Sequence, residues 1–347
     1  MNPVLRCLPL LLLLLPAMAA GAADDGERQT SARGYLASIQ PSPELQAFLD
    51  QTVKQLLARD IRARKAKLGI ALIDLNPGHT PHLAHWHGET PIYPASVVKF
   101  VYLMAAYAWK EQGKLQIDNI LDRQLTQMIY HSSNKATQRV VARLTETQPG
   151  PALPDQRYLQ FRERRLAVKR WLESLGVVGI HSIHPTYDGG GDLFGREIQL
   201  LQDDSVVGGL ESHDGKFHNR QAMSAVATAK LLALLATDRV LTRKHAAEVR
   251  MRMLRDPAKQ PYLIHRIAGG AVGTKGVEVY SKTGTWGPIF ADAGIVRHRS
   301  GRQIVLAVFI ESRPAYRGNF IAALARRSIE RLFASPSPQP MDGRERK

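Results

Sequence analysis

Apolar positions follow different periods in successive stretches of this chain. From 43 to 64 they recur at helical spacing, which predicts an amphipathic helix. The run Leu68 to Leu75 is apolar apart from one aspartate and stops at a turn signal at 76–78, which predicts a strand. Ser96 to Trp109 is apolar almost all round, a pattern typical of a helix that is buried on every side.

Strands are predicted near both ends of the chain, and helices fill the middle. The other predicted strands and the last helix are Leu83–His87, Val277–Lys282, Ala293–Arg297, Ile304–Ile310 and about Asn319–Leu332. From Asp118 to Asp238 the pattern is mostly helical. Strands from both ends with helices between them predict two lobes, one built around a sheet and one all-helical.

The start of the chain has the features of a secretory signal peptide. Arg6 provides the positive charge, Leu8–Leu15 provides the apolar run, and small residues behind it offer a cleavage site. The run is well short of the ~20 apolar residues that a membrane span needs. We therefore expect export to the periplasm with removal of residues 1–23. A flexible leader at 24–40 and a disordered, charge-rich tail at 336–347 are also expected.

The composition argues against several classes of protein. The formal net charge is +16 at pH 7, which predicts attraction to polyanions, but no nucleic-acid-binding motif accompanies it. The basic run between 62 and 67 is either a solvated helix end or a weak contact with anionic cell-envelope polymers. A single cysteine, Cys7, excludes a disulfide framework or a thiolate zinc cluster. The histidines and carboxylates show no metal-ligand spacing, so neither a metal nor a cofactor is predicted.

The first motif with chemistry is Ser96-Val97-Val98-Lys99. Residues three apart on a helix share a face, so the Lys99 amine can lie beside the Ser96 hydroxyl. A serine needs a neighbouring base to become a nucleophile, and a buried lysine that loses its charge can be that base. The alternative is a helix-capping serine followed by a lysine of no special role. The apolar neighbours of Lys99 argue for the first interpretation, because a charged amine among them is costly without a partner or a function.

Two further motifs follow, Ser132-Ser133-Asn134 and Lys282-Thr283-Gly284-Thr285. In the first, a second hydroxyl can relay a proton and the amide can bind a substrate amide, although such residues also cap helices. In the second, a lysine and two hydroxyls at the end of a strand can hold a carboxylate. Its glycine lets a ligand approach the backbone closely, although an edge strand that ends in a turn has the same composition.

In this order the three motifs resemble those of the penicillin-recognising serine hydrolases, the superfamily of class A β-lactamases and D-alanyl-D-alanine peptidases. The resemblance covers about Pro43 to Leu332. It implies an α+β fold in which an antiparallel sheet is flanked by terminal helices, an all-α lobe lies beside it, and the active site lies between the lobes. It also implies one two-lobed domain over 41–335, with an α/β lobe at 41–95 and 220–335 and a helical lobe at 96–219.

The resemblance implies a role for each motif residue. Ser96 would be the nucleophile, Lys99 its activator, and Ser132 the donor of a proton to the departing nitrogen. Asn134 would hold the side-chain amide of the substrate, and the segment Lys282-Thr283-Gly284-Thr285 would bind its carboxylate. The backbone N–H groups of the nucleophile and of the last threonine would form the oxyanion hole.

The chain departs from the class A pattern at the residue that activates water for deacylation. Glu197-Ile198-Gln199-Leu200 matches the start of the Glu-x-x-Leu-Asn motif, but leucine stands where the asparagine belongs. Glu197 is therefore the first candidate base, Asp188 the second and Glu211 the third. The arginine often found beside the carboxylate site is also missing from its strand, and Arg266 is the candidate to replace it.

Three functions remain open on the sequence. The prediction is a class A-like serine β-lactamase, exported and monomeric, that acts on β-lactams through a Ser96 acyl-enzyme. The alternatives are a D-alanyl-D-alanine peptidase or related cell-wall hydrolase, and a penicillin-binding sensor without turnover. Ser96 and Ser132 are closer in sequence than in the class A pattern, which favours the peptidase. The single-domain size and class A-like flanks favour the lactamase.

Overall fold

A seven-stranded sheet is the largest element of the fold. The structure, a computed structural model, describes residues 16–186 and 194–333, with side chains from residue 25 onward. The strands are β1 Gln40–Pro41, β2 Lys67–Asp74, β3 His82–Trp86, β4 Ile180–His181, β5 Ala222–Met223, β6 Leu254–Arg255, β7 Val277–Trp286, β8 Ile289–His298 and β9 Gln303–Glu311. Their order in the sheet is β1-β3-β2-β9-β8-β7-β6, and every pair is antiparallel except β1 with β3. Strands β4 and β5 form a separate pair.

Helices cover both faces of this sheet and fill the middle of the chain. They are α1 Pro16–Ser38, α2 Pro43–Arg59, α3 Ile61–Arg64, α4 Lys99–Glu111, α5 Asn119–Ile129, α6 Asn134–Thr145, α7 Asp155–Arg165, α8 Ala167–Ser174, α9 Arg196–Leu201, α10 Ala225–Ala236, α11 Arg243–Arg252, α12 Ile267–Ala271 and α13 Phe320–Phe333. Two 3₁₀ turns, Ala95–Val98 and Pro261–His265, complete the described elements. None of the described helices is both long and apolar enough to cross a membrane.

The sheet is buried on both faces, which explains why its strands are nearly continuous apolar runs. Alternate side chains point to opposite faces, so Ile70 and Leu72 pack on the side of α2 and α13, whereas Ala71 and Ile73 pack on the side of α10 and α4. The predicted α+β fold, with an antiparallel sheet flanked by the terminal helices, is confirmed.

Helix α4 is the central helix of the molecule. Every side chain from Lys99 to Ala108 is buried, as its all-round apolar pattern predicts. It contacts α5, α6, α8 and α11, and it follows directly on the 3₁₀ turn that packs against β7. The start of α4 is thereby fixed between the sheet and the helical part of the chain.

The segment expected to be a flexible leader is instead part of α1. Ala32 and Leu36 are buried, and they lie four residues apart, which places them on one face of a helix. The Arg33 Nε donates a 2.8 Å hydrogen bond to the carbonyl of Ser174, and Arg28 forms an ion pair with Glu111. The expectation was wrong here because a few apolar side chains in a polar stretch suffice to dock a helix. The expected tail lies outside the described residues.

Removal of α1 should therefore cost stability. A chain that begins at residue 40 should unfold with a free energy lower by about 3–6 kcal/mol than a chain that begins at residue 24, because burial of Leu36 and Ile39 contributes about 1.5–3 kcal/mol each. Urea denaturation followed by circular dichroism measures the difference. Equal midpoints and slopes for the two chains would show that α1 does not dock in solution.

Candidate active site

The Ser96 motif lies at the junction of the 3₁₀ turn Ala95–Val98 and α4, rather than inside one continuous helix as the sequence suggested. The backbone N–H of Lys99 donates to the carbonyl of Ser96, which closes the turn. Ala95 has a positive φ of 46°, a region that non-glycine residues seldom adopt and that is often found at functional sites. Ser96 is half-buried at this bend, while Lys99 is buried.

The Lys99 amine is surrounded by hydrogen-bond acceptors of the second motif. Its Nζ donates to the Ser132 carbonyl at 2.5 Å and to Asn134 Oδ1 at 2.6 Å, and it lies 3.4 Å from Ser132 Oγ. Burial lowers the pKa of Lys99 to about 7, because a charged ammonium is poorly solvated there. At neutral pH a substantial fraction of the amine is uncharged and able to accept a proton.

One residue of the second motif caps a helix, and the other two face the reactive lysine. Ser133 caps α6, where its Oγ accepts from the N–H of Ala136 at 3.2 Å. Ser132, with a positive φ of 57°, and Asn134 instead face Lys99. The Thr186 hydroxyl donates to Asn134 Oδ1 at 2.9 Å, which adds a contact that the sequence did not predict.

The third motif reaches the same hydroxyl from the sheet. Lys282, buried in β7, donates from Nζ to Ser132 Oγ at 3.0 Å and to the Thr283 carbonyl at 2.8 Å. Burial lowers the pKa of Lys282 well below its ordinary value, and the nearby cations Arg255 and Lys99 lower it further. The Ser132 hydroxyl thus lies between two amines, one from α4 and one from β7.

Gly284 brings β7 against the turn that carries Ser96. A Cβ at this position would lie 2.6 Å from the carbonyl oxygen of Pro94 and 3.0 Å from the Val97 side chain. Only glycine fits at that separation without a shift of the turn. The close approach places the residues after Gly284 directly beside the Ser96 turn.

Arg266 is brought to the last threonine of the motif. Its Nη2 donates to Thr285 Oγ1 at 2.5 Å, its Nη1 donates to the Ala291 carbonyl at 2.6 Å, and its guanidinium stacks 3.5 Å from the centre of the Phe290 ring. Arg266 is buried, and burial lowers its pKa to about 10. Arg266 therefore lies where the sequence analysis expected an arginine to replace the one missing from the strand.

Two charged residues below the site were missed by the sequence reasoning. Arg255 is buried in β6 and donates from Nε to the Ser281 carbonyl at 2.8 Å. Asp292 is buried in β8, accepts from the Ile267 N–H at 2.9 Å, and has its pKa raised by burial. The sequence feature that could have identified them is the lone carboxylate in the apolar run of β8, because a buried ionisable group there needs a charged partner. Arg266, Arg255 and Lys282 are cations near it.

Glu197 lies in a different arrangement from the one expected of a general base. Both of its carboxylate oxygens accept from the buried Arg165 guanidinium, and His184 Nε2 lies 3.6 Å away. The Arg165 Nε also donates to Thr147 Oγ1 at 2.6 Å. A carboxylate bound on both oxygens by a guanidinium is a weak base. The geometry therefore disfavours Glu197 as the residue that activates water and indicates a structural ion pair.

Of the other two candidate bases, Glu211 lies in the described part of the chain. Glu211 is exposed and lies 3.9 Å from His218 Nδ1. Asp188 lies outside the described residues. No carboxylate within residues 25–186 and 194–333 is hydrogen-bonded to Lys99 or Ser132. The same described residues hold no group of three or more histidine, cysteine or carboxylate side chains placed to bind a metal ion.

Comparison with known proteins identifies the fold. A family model described as the β-lactamase enzyme family matches residues 164–332. A mutant of PBP-A, solved as an acyl-enzyme with penicillin G, is 17% identical over 84% of this chain and 97% of its own, with a TM-score of 0.55. A search of curated proteins gives no significant match.

Two β-lactamases share the same fold. The enzyme from Sphaerobacter thermophilus DSM 20745 is 15% identical over 84% of this chain and 99% of its own, with a TM-score of 0.56. The extended-spectrum β-lactamase TLA-1 is 14% identical over 83% of this chain and 99% of its own, with a TM-score of 0.57. The family match over residues 164–332 and the shared fold show that this chain is similar to the β-lactamase enzyme family and to PBP-A.

Proposed function

We propose that the protein is a class A-like serine β-lactamase that opens the β-lactam amide through an acyl-enzyme on Ser96. The observation that carries the proposal is the Ser132 hydroxyl, which contacts the Lys99 and Lys282 amines beside the Ser96 turn. The coarser function, a serine hydrolase of the β-lactamase type, has the support of the family match and of the β-lactamase neighbours. A β-lactam substrate has further support from the penicillin-bound neighbour.

Acylation uses the residues in the following way. The uncharged Lys99 amine takes the proton of the Ser96 hydroxyl as its oxygen attacks the carbonyl carbon. The backbone N–H groups of Ser96 and Thr285 stabilise the oxyanion, an effect worth about 3–4 kcal/mol per donor. When the C–N bond breaks, Ser132 passes a proton to the departing nitrogen. Ser132 is then reprotonated from Lys99, which returns that amine to its uncharged form.

Substrate binding uses the groups on either side of that centre. Lys282, Thr283 and Thr285 bind the substrate carboxylate, and Arg266 orients the Thr285 hydroxyl and adds positive charge. The Asn134 amide binds the side-chain amide of the substrate while its oxygen holds Lys99. Cations of the sheet outnumber the carboxylates near them, so an anionic substrate is favoured over a neutral one.

A D-alanyl-D-alanine peptidase is the second candidate. The observation in its favour is the bidentate pairing of Glu197 with Arg165, which makes the first candidate for water activation a weaker base. Without a competent base, an acyl-enzyme formed from a β-lactam persists, as it does in a peptidase or a sensor. The other sequence candidates for the base are Asp188, two residues after the Thr186 that contacts Asn134, and Glu211.

The deciding experiment mixes the purified protein with a chromogenic cephalosporin and follows hydrolysis and intact mass together, with Ser96→Ala beside it. Sustained hydrolysis that is lost in Ser96→Ala supports the lactamase. One stoichiometric adduct without turnover supports the peptidase or the sensor, and release of D-alanine from a D-Ala-D-Ala peptide separates those two. No adduct and no hydrolysis would refute the proposal.

We also propose that the protein is exported and that it works as a monomer in the periplasm. The sequence of its first residues supports export, since a positive residue precedes an apolar run and small residues follow it. The intact mass of protein recovered from a periplasmic extract tests this. A mass that still includes residues 1–23 would contradict removal of the signal peptide.

A further inference from the structure

Three side chains form a cluster at the end of β7, which we call the rim cluster: Tyr93, Arg220 and Trp286. The Arg220 guanidinium carbon lies 4.6 Å from the centre of the Tyr93 ring and 5.8 Å from the centre of the Trp286 ring. The two rings meet edge to face at 5.5 Å. The guanidinium is thus held against two aromatic rings, and Trp286 is half exposed to solvent.

The rim cluster adjoins the active site on two sides. Tyr93 precedes Ser96 by three residues, and Trp286 directly follows Thr285. Arg220 comes just before β5, whose Met223 forms a backbone bridge to Ile92. The strand β7 therefore runs from Lys282, buried in the floor of the cleft, to the rim cluster at the surface.

The Arg220 guanidinium differs from the other cations of the site in having no polar partner among the described residues. No carboxylate within the described ranges forms an ion pair with it, and no described group accepts a hydrogen bond from its guanidinium. Arg266 and Lys282, by contrast, donate to specific oxygens. A guanidinium that lies over aromatic rings and donates to no described acceptor retains its N–H groups for a bidentate anion.

We propose that the rim cluster is a second anion subsite, in which Arg220 binds a carboxylate on the part of the substrate remote from the carboxylate held by Lys282. The preferred ligands are then dicarboxylates, with one carboxylate at each end of the cleft. The proposal rests on the proposed function, because the ligand must lie across Ser96 to reach both ends. Tyr93 and Trp286 orient the guanidinium and cover the apolar part of the ligand beside it.

Benzylpenicillin and carbenicillin provide a matched pair of probes, since carbenicillin is the same molecule with one more carboxylate on its side chain. Their dissociation constants are measured by calorimetry on the Ser96→Ala protein, in which no covalent step intervenes. We expect carbenicillin to bind about fivefold more tightly, a ratio within the range for one charge-assisted hydrogen-bonded pair near a surface. Adding Arg220→Gln should reduce the ratio to about one while the benzylpenicillin constant changes less than about twofold.

Arg239→Gln is the control variant in the same background. Arg239 stacks 5.7 Å from the Tyr35 ring, next to α1, so its replacement removes the same charge from the same type of contact elsewhere. It should leave the ratio unchanged. Arg220→Lys, which keeps the charge without the planar fork, should give an intermediate ratio and covers the case in which Arg220→Gln folds poorly, as judged by thermal unfolding.

The proposal would be overturned by a ratio of one before any change at Arg220, by a ratio that survives Arg220→Gln and Arg220→Lys, or by equal losses for both ligands. Failure of binding by both ligands would overturn it as well. The proposed function is judged separately, by the adduct on the intact Ser96 protein. An Arg220-dependent affinity ratio without any adduct would support the anion subsite and refute the proposed hydrolase. An adduct without an Arg220-dependent ratio would support the hydrolase and refute the subsite.

Discussion

Lys99→Met should slow formation of the Ser96 acyl-enzyme by about 10²- to 10⁴-fold, the usual contribution of a positioned general base. Methionine keeps most of the volume of the lysine in its buried site but cannot accept the proton of Ser96. Stopped-flow measurement of adduct formation with a chromogenic cephalosporin gives the rate. Lys110→Met, at the other end of α4, is the control and should acylate at the rate of the unaltered protein.

The pH profile tests the cause of this effect. Because burial lowers the pKa of Lys99 to about 7, the acylation rate of the unaltered protein should rise with pH through about 7 as the amine loses its proton. The residual rate of Lys99→Met should lack that rise. A profile that falls between pH 6 and 8, or one that persists in Lys99→Met, would show that another group is the base.

The second large effect concerns stability. Arg165→Met should lower the free energy of unfolding by about 3–5 kcal/mol at pH 7, because it leaves the Glu197 carboxylate buried without its partner. Urea denaturation measures the change. Arg170→Met breaks a solvent-exposed pair with Glu163 and, as a control, should cost at most about 1 kcal/mol.

A paired replacement shows whether the loss comes from the unpaired charge. Arg165→Met with Glu197→Leu should regain much of the stability, since apolar groups can replace a buried ion pair at little cost. Glu197→Gln separates the structural role of this residue from a catalytic one. If Glu197→Gln traps the acyl-enzyme and leaves the urea midpoint unchanged, then Glu197 is the base and the structural interpretation is wrong.

The sheet and its flanking helices were predictable because their signals are local. The strand Leu68 to Leu75 and the buried helix after Ser96 follow from uninterrupted apolar runs, and the last helix follows from its 3.6-residue period. The helix α1 was missed because residues 24–33 are mostly polar and only a few buried side chains dock the helix. The composition of a segment reflects most of its residues, whereas docking of the helix depends on the few apolar side chains that become buried.

The site was predictable only in part, because its contacts are long-range. The contacts among Lys99, Ser132 and Lys282 join residues some 180 positions apart in the sequence, and motif spacing alone predicts no such contact. The contacts were expected only because the order of the motifs resembles that of the penicillin-recognising serine hydrolases. The Arg165–Glu197 ion pair could not be predicted from the sequence. Helix α7 is one of the most polar helices, and nothing in its sequence distinguishes the buried Arg165 from its exposed arginines. Burial of charge is a property of tertiary packing, which the residue pattern does not record.

The position of the Ser132 hydroxyl between two lysines has a mechanical consequence. Lys99 joins α4 to the start of α6, and Lys282 joins the sheet to the same serine, so the bonds that orient the reacting groups also fasten the two halves of the cleft. Widening the cleft for a bulkier ligand would stretch these bonds and misplace the proton acceptor. The rigidity of the cleft and its reactivity therefore vary together, and ligand range in this protein is expected to change at the rim rather than at the floor.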